Sequence, residues 1–257
     1  MTESESIEAT RERALARIRD NIERFGHHIY LIADDETMPR YAYTIGLLPD
    51  LGHELVFAGG ALYEGEEVGA IVNRVAAKVR KARTRLEPGL SFELGKLGTF
   101  TLGSVRREWL ELMLGAIDYH GDRRISAVQV LPEEKNWTLD TPRMSKSPGH
   151  ADNRAWRYWK EDWDPGGAPR DSAVMTNLAA LRGEPITQGI RWEEDEWEAF
   201  VGPAGKVRKS EFRALRLAVL IAIDDSLAPL RDLSVREGMY REHGDAPWER
   251  FETTSEP

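Results

Sequence analysis

Histidines and carboxylates that can converge are where metal or acid–base chemistry would arise in this chain. One such grouping is present near the N-terminus: His27, His28, His53 and Glu54. The segment His53-Glu54-Leu55-Val56-Phe57 lacks the second histidine that the helical zinc-protease motif would place at Phe57, and it reads as strand. A structural or surface role is the stronger reading for these histidines, and no metal is expected. Just upstream, Tyr43-Thr44-Ile45-Gly46-Leu47 can end a strand at Gly46 and present Thr44 and backbone groups to a ligand. The competing structural reading turns Tyr43, Ile45 and Leu47 inward, pairs Thr44 across strands and uses Gly46 for a bulge. On the functional reading His27, Tyr43, Thr44, Gly46, His53 and Glu54 serve a small-molecule enzyme or cofactor binder, with the cofactor unidentified.

Other chemistries lack their residues. The chain has no cysteine, which removes disulfides, thiol nucleophiles and cysteine-ligated metals. Ser104 follows Gly103 but has no glycine two positions later, so it forms no nucleophile elbow. Gly59-Gly60 lies between a strand and a helix, the topology of an anion site, yet Glu64, Glu66 and Glu67 would repel a phosphate there. No catalytic residue is assigned.

Charge points toward a protein partner. The net charge is −9 and neither half has a basic surplus, which argues against nucleic acid. Arg74, Lys78, Lys81 and Arg85 complement the end of a helix dipole. The densest charge run, Glu193-Glu194-Asp195-Glu196-Trp197-Glu198, reads either as a solvated hairpin turn or as a surface for a cationic partner. On the second reading Trp192 and Trp197 supply apolar anchors among Glu193, Glu194, Asp195 and Glu196.

The positioning elements follow from periodicity. Ala14, Leu15, Ile18, Ile22 and Phe25 mark an amphipathic helix from Ile7 to Phe25, stopped by Gly26. His28–Ala33, Tyr41–Leu47 and Glu54–Ala58 read as strands, and Glu64–Arg83 as a helix. A hairpin joins Ser91–Leu94 to Thr99–Val105, before a helix at Glu108–Tyr119 and a strand at Ile125–Leu131. Residues 141–170 form a connector in which Trp156, Trp159 and Trp163 line one side of a helix packed between two domains. Beyond it come strands Ser172–Leu178, Ile186–Trp192 and Glu196–Val201, a helix Ser210–Ile223 capped by Ser210, and a last strand at Pro247–Phe251. The fold class is α+β: two small domains, 1–140 and 171–257, each a mostly antiparallel sheet with packed helices, joined by the Trp-rich connector.

Phe25-Gly26-His27, Tyr41 to Leu47, His53-Glu54-Leu55-Val56 and Gln129-Val130 make the N-terminal half resemble a bacterial family, domain of unknown function 4262. The family usually shows His-Pro-Glu-Leu where this chain reads His53-Glu54-Leu55, and it carries no settled activity. Ile186–Gly202, Asp224–Leu230, Gly238-Met239-Tyr240-Arg241 and Pro247-Trp248-Glu249-Arg250 are similar to domain of unknown function 2185, immunity protein family 33. That resemblance implies a module that occupies a toxin. The combined expectation is a non-enzymatic, cytoplasmic bacterial protein, outside the membrane, that binds a macromolecular partner such as a cationic toxin. A second copy of itself is the other candidate partner.

Overall fold

The computed structural model describes residues 3–121 and 124–253. It contains two six-stranded mixed sheets with helices packed on them, an α+β arrangement in two parts. In the first half, helix α1 (Glu3–Phe25) leads into strands β1 (His28–Ile32) and β2 (Tyr41–Ile45), the short helix α2 (Leu48–Leu51), and β3 (Glu54–Ala58). Helix α3 (Gly65–Ala82) follows, then β4 (Ser91–Glu93), β5 (Thr99–Ser104), α4 (Leu114–His120) and β6 (Ala127–Pro132). The strand order is β1-β2-β3-β6-β5-β4, antiparallel except for the β3–β6 pair, which runs Glu54 beside Ala127.

Both faces of this sheet are covered, which explains why β2 and β3 are buried at every position. On one face α3 lays down Val68, Ile71, Val72, Val75 and Val79 against Leu55, Phe57, Phe100 and Val130. Its first turn is closed by a capping box between Glu64 and Glu67. On the other face Tyr41, Tyr43, Ile45 and Val56 meet Ile18 of α1, Trp109 and Trp156.

The second sheet uses β7 (Ala173–Asn177), β8 (Gln188–Arg191), β9 (Glu196–Phe200), β10 (Phe212–Arg216), β11 (Glu237–Tyr240) and β12 (Glu249–Glu252) in the order β10-β7-β9-β8-β11-β12. Only β7 and β9 are parallel. Two short helices, α5 (Leu178–Leu181) and α6 (Leu217–Ile223), complete the half.

Three local expectations are corrected. The segment expected as one helix from Ser210 to Ile223 is a strand followed by a helix, because Phe212–Arg216 pairs with β7 before Leu217 starts α6. Ser210 therefore caps nothing and lies in a single tight turn, Lys209–Glu211. A continuous apolar run supports either element, since a buried strand and a buried helix look alike without a polar stripe. The expected helix Glu108–Tyr119 breaks at Met113 into a 3-10 segment, Arg107–Leu112, and α4.

The connector is a 3-10 segment, Ala151–Trp159, kinked at Asn153, with Trp163 beyond its end. It is nonetheless packed rather than loose. Trp156 is fully buried, donates from Nε1 to the Asp140 carbonyl at 2.8 Å, and meets Trp109 edge-on with centroids 5.5 Å apart. Asn153 accepts from the Arg143 N–H at 2.7 Å and donates to the Ser147 carbonyl. A single hydrophobic cluster runs from Ile18 and Tyr41 through Trp156 and Trp163 to Val174, Trp197 and Leu230, joining the two sheets.

Candidate functional site

Glu54 opens β3 and is fully enclosed. Its Oε2 accepts from Thr44 Oγ1 at 2.7 Å and from the Leu47 N–H at 3.1 Å. Its Oε1 accepts from the N–H groups of Gly46 (2.8 Å) and Leu48 (3.1 Å). A fifth contact comes from Nε2 of His120, 3.1 Å from Oε1. The imidazole tautomer protonated at Nε2 would make His120 a fifth donor to the carboxylate. Thr44 Oγ1 accepts in turn from the Leu55 N–H at 2.8 Å. The backbone turn from β2 into α2 is thus wrapped around one carboxylate, and Gly46, with φ +103°, is the residue that permits it. Thr44, Gly46 and Glu54 are brought together as the sequence suggested, but with neither Thr44 nor Glu54 open to a ligand.

The other three residues of that expected pocket lie apart from this network. The Tyr43 hydroxyl accepts from the Gly115 N–H at 3.1 Å, and burial pushes its pKa up to about 12. His27 sits between α1 and α3, with Nε2 3.0 Å from Asn73 Oδ1 and Nδ1 3.4 Å from an Arg80 guanidinium nitrogen. Burial, then the Arg80 charge, hold its pKa below the ordinary histidine value. His53 follows α2 and lies on the wall of a separate cleft of about 890 Å3. Its Nδ1 is enclosed without a hydrogen-bond partner, and burial followed by Arg85 lowers its pKa. Among the described residues no cluster of three or more histidines and carboxylates is placed to hold a metal ion.

The Gly59-Gly60 turn is occupied from within. The Ala61 N–H donates to Asp140 Oδ2 at 2.9 Å, so a carboxylate of the protein itself takes the place an anion would fill. A methyl group on Gly59 would come 2.1 Å from the Asp140 carbonyl oxygen, which explains the glycine.

The acidic run is the exposed tip of the β8–β9 hairpin, with Glu193, Glu194, Asp195 and Glu196 all facing solvent. Beneath it lies Arg191, 8% exposed, whose guanidinium donates to the carbonyls of Glu193 (3.3 Å), Glu194 (2.5 Å), Gly167 (3.2 Å) and Leu233 (2.8 Å). The same guanidinium stacks over the Trp197 ring at 4.5 Å. Trp197 is a core residue, 2% exposed, with Nε1 bonded to the Leu230 carbonyl at 3.0 Å. The expectation of Trp197 as a surface anchor is therefore corrected: it is an inward residue of β9 and packs into the hydrophobic core. Trp192 is half-buried beneath Arg236, at 5.6 Å, and its indole nitrogen has no partner.

Sequence reasoning missed His120, Asp140 and Arg191. His120 ends a helix 66 residues after Glu54 and carries no local pattern. Arg191 ends the strand Gln188–Arg191, whose last three residues are all buried, so no alternation in the sequence marks it.

Residues 21–137 match the model of a family described as a domain of unknown function (DUF4262). The matched stretch contains the whole Glu54 network: Thr44, Gly46, Leu47, Leu48 and His120. No curated protein and no solved structure matches the chain. No described helix is long and apolar enough to cross a membrane.

Proposed function

We propose that this is a non-enzymatic bacterial protein that binds a cationic macromolecular partner through the acidic β8–β9 turn. The observation that carries the reading is the Arg191 clamp. One buried guanidinium fixes the backbone of the turn at Glu193 and Glu194 while four consecutive acid side chains are left in solvent. A surface held in one conformation loses less entropy on binding than a free loop of the same charge. Its charge steers a basic partner and makes association sensitive to salt. Glu194, Asp195 and Glu196 have no ion pair among the described residues, and Glu193 has one, with Arg236 at 3.4 Å.

The matched family model ends at residue 137, so the resemblance of Ile186–Gly202 to immunity protein family 33 rests on its own residues; on that reading the partner is a basic toxin in the cytoplasm. The test is affinity capture from cells of the source organism, followed by titration of the identified partner against wild type and a Glu193→Lys, Glu194→Lys, Glu196→Lys variant. The expected result is a loss of at least about tenfold in affinity and a shallower salt dependence. A partner that binds the variant and wild type equally would move the interface elsewhere.

A further inference from the structure

The cleft beside His53 has a chemistry of its own. Its floor is apolar: Val105 after β5, Leu110, Ile117 of α4, Ile125, and Ala127 and Val128 at the start of β6. Five titratable side chains face it, namely His53, Arg107, Glu108, Glu111 and Arg124. Both carboxylates are engaged by cations from outside the lining, Glu108 by Arg106 at 3.0 Å and Glu111 by Lys160 at 2.6 Å. Arg107 and Arg124 have neither an ion pair nor a hydrogen bond among the described residues, and both are exposed at the rim. Burial and the neighbouring Arg85 favour the neutral imidazole at His53. The balance is an apolar cleft edged by two uncompensated guanidinium groups. Ile117 and the adjacent Leu114 extend the apolar surface to solvent, at 40% and 69% exposure.

A cleft of about 890 Å3 is within the size range of small-molecule sites, which combine an apolar lining with a few polar groups that fix orientation. Guanidinium groups match carboxylate and phosphate oxygens in a two-point fork. We infer that this cleft binds an amphipathic organic anion, its apolar body on Val105, Leu110, Ile117 and Ile125 and its anionic head on Arg107 and Arg124. A cationic amphiphile would meet these arginines unfavourably, and a neutral one would leave them unused. The site shares no residue with the acidic turn, so it stands or falls independently of the partner-binding reading.

The experiment is calorimetric titration of the full chain with decanoate and decyltrimethylammonium below their micellar concentrations and with decanol below its solubility limit. The same titrations are repeated on an Arg107→Gln, Arg124→Gln variant and on Ile117→Glu. One decanoate is expected per chain, bound at least about tenfold more tightly than decanol, with the ammonium compound weaker still. The double arginine variant should melt like wild type, lose at least about tenfold in decanoate affinity and keep its decanol affinity. Ile117→Glu should weaken both. The inference is overturned if wild type fails to bind decanoate, if decanol binds as tightly, or if the double variant binds decanoate unchanged.

Discussion

Glu54 Oε1 lies 3.1 Å from His120 Nε2, and both side chains are almost completely enclosed. The contact ties the start of β3 to the end of α4, two elements that share no strand pairing. With the three N–H groups of Gly46, Leu47 and Leu48 and the Thr44 hydroxyl, it accounts for the acceptor capacity of the carboxylate. Nothing is left over for substrate, so the role of Glu54 is to hold the β2–α2 turn in shape.

Glu54→Gln should therefore be costly despite its matched size. The amide carries donors where the site supplies only donors, so buried N–H groups lose their acceptor. We expect a loss of about 3–5 kcal/mol in denaturant unfolding, the range for breaking a buried charged network by changing one partner. His120→Gln, which can still donate one hydrogen bond, should cost less. A Glu54→Gln variant within about 1 kcal/mol of wild type would show that the network contributes little.

Gly46→Ala tests the same turn from the backbone. The residue has φ +103°, and an added Cβ would lie 2.8 Å from Ile22 Cδ1 of α1. Strain in this region costs on the order of 1–3 kcal/mol for residues other than glycine. Combining it with Ile22→Ala relieves the contact but not the dihedral. The double variant should then be less unstable than the sum of the two single losses, while remaining below Ile22→Ala alone. Simple additivity in a thermal melt would show that the Ile22 contact does not matter.

These two residues also show what could be read from the sequence. Strand periodicity located β1, β2, β3 and both hairpins, because alternating apolar residues bounded by glycine, proline and aspartate specify local structure without tertiary help. Thr44, Gly46 and Glu54 lie close together in sequence and meet in one turn, but local pattern cannot supply His120, whose approach depends on the placement of α4. His27 and His53 were grouped by sequence proximity, and packing separated them: one went between α1 and α3, the other to the cleft. The division of 212–223 into strand and helix is likewise a tertiary outcome, decided by the free edge of β7. Trp197 and Glu196 illustrate the remaining limit, since adjacent residues in a strand face opposite ways and composition alone cannot say which faces out.

Acid should destabilise the fold through its histidines. His27, His28 and His53 all have pKa values held below the ordinary 6.5, chiefly by burial. The unfolded chain then binds more protons than the native one between 6.5 and each native value. Stability is fully present above about pH 6.5, falls as pH drops through this window, and levels off below the native pKa values. Melting temperatures measured from pH 8 downwards should begin to fall near pH 6.5. His27→Gln can still donate to Asn73 and should lessen the fall, whereas an unaltered profile in that variant would remove His27 from the account.

Asp140 should act in the opposite direction. It is enclosed between the Gly59-Gly60 turn and Trp156, with Oδ2 on the Ala61 N–H and Oδ1 without a partner. Burial raises its pKa, and the Thr138 hydroxyl, the Ala61 N–H and the Arg40 charge offset this only in part. A carboxyl group with a raised native pKa contributes stability that is fully present below its unfolded value of 3.8 and is lost as pH rises through the native value. Asp140→Asn keeps an oxygen for the Ala61 N–H and cannot ionise. The variant should therefore gain on wild type as pH rises above 3.8, with the smallest difference at the acid end. Its own pH profile should then expose the histidine limb without the opposing slope. Denaturant unfolding of both proteins across this range decides the matter: a constant difference would mean that Asp140 has the same protonation in the folded and unfolded chains.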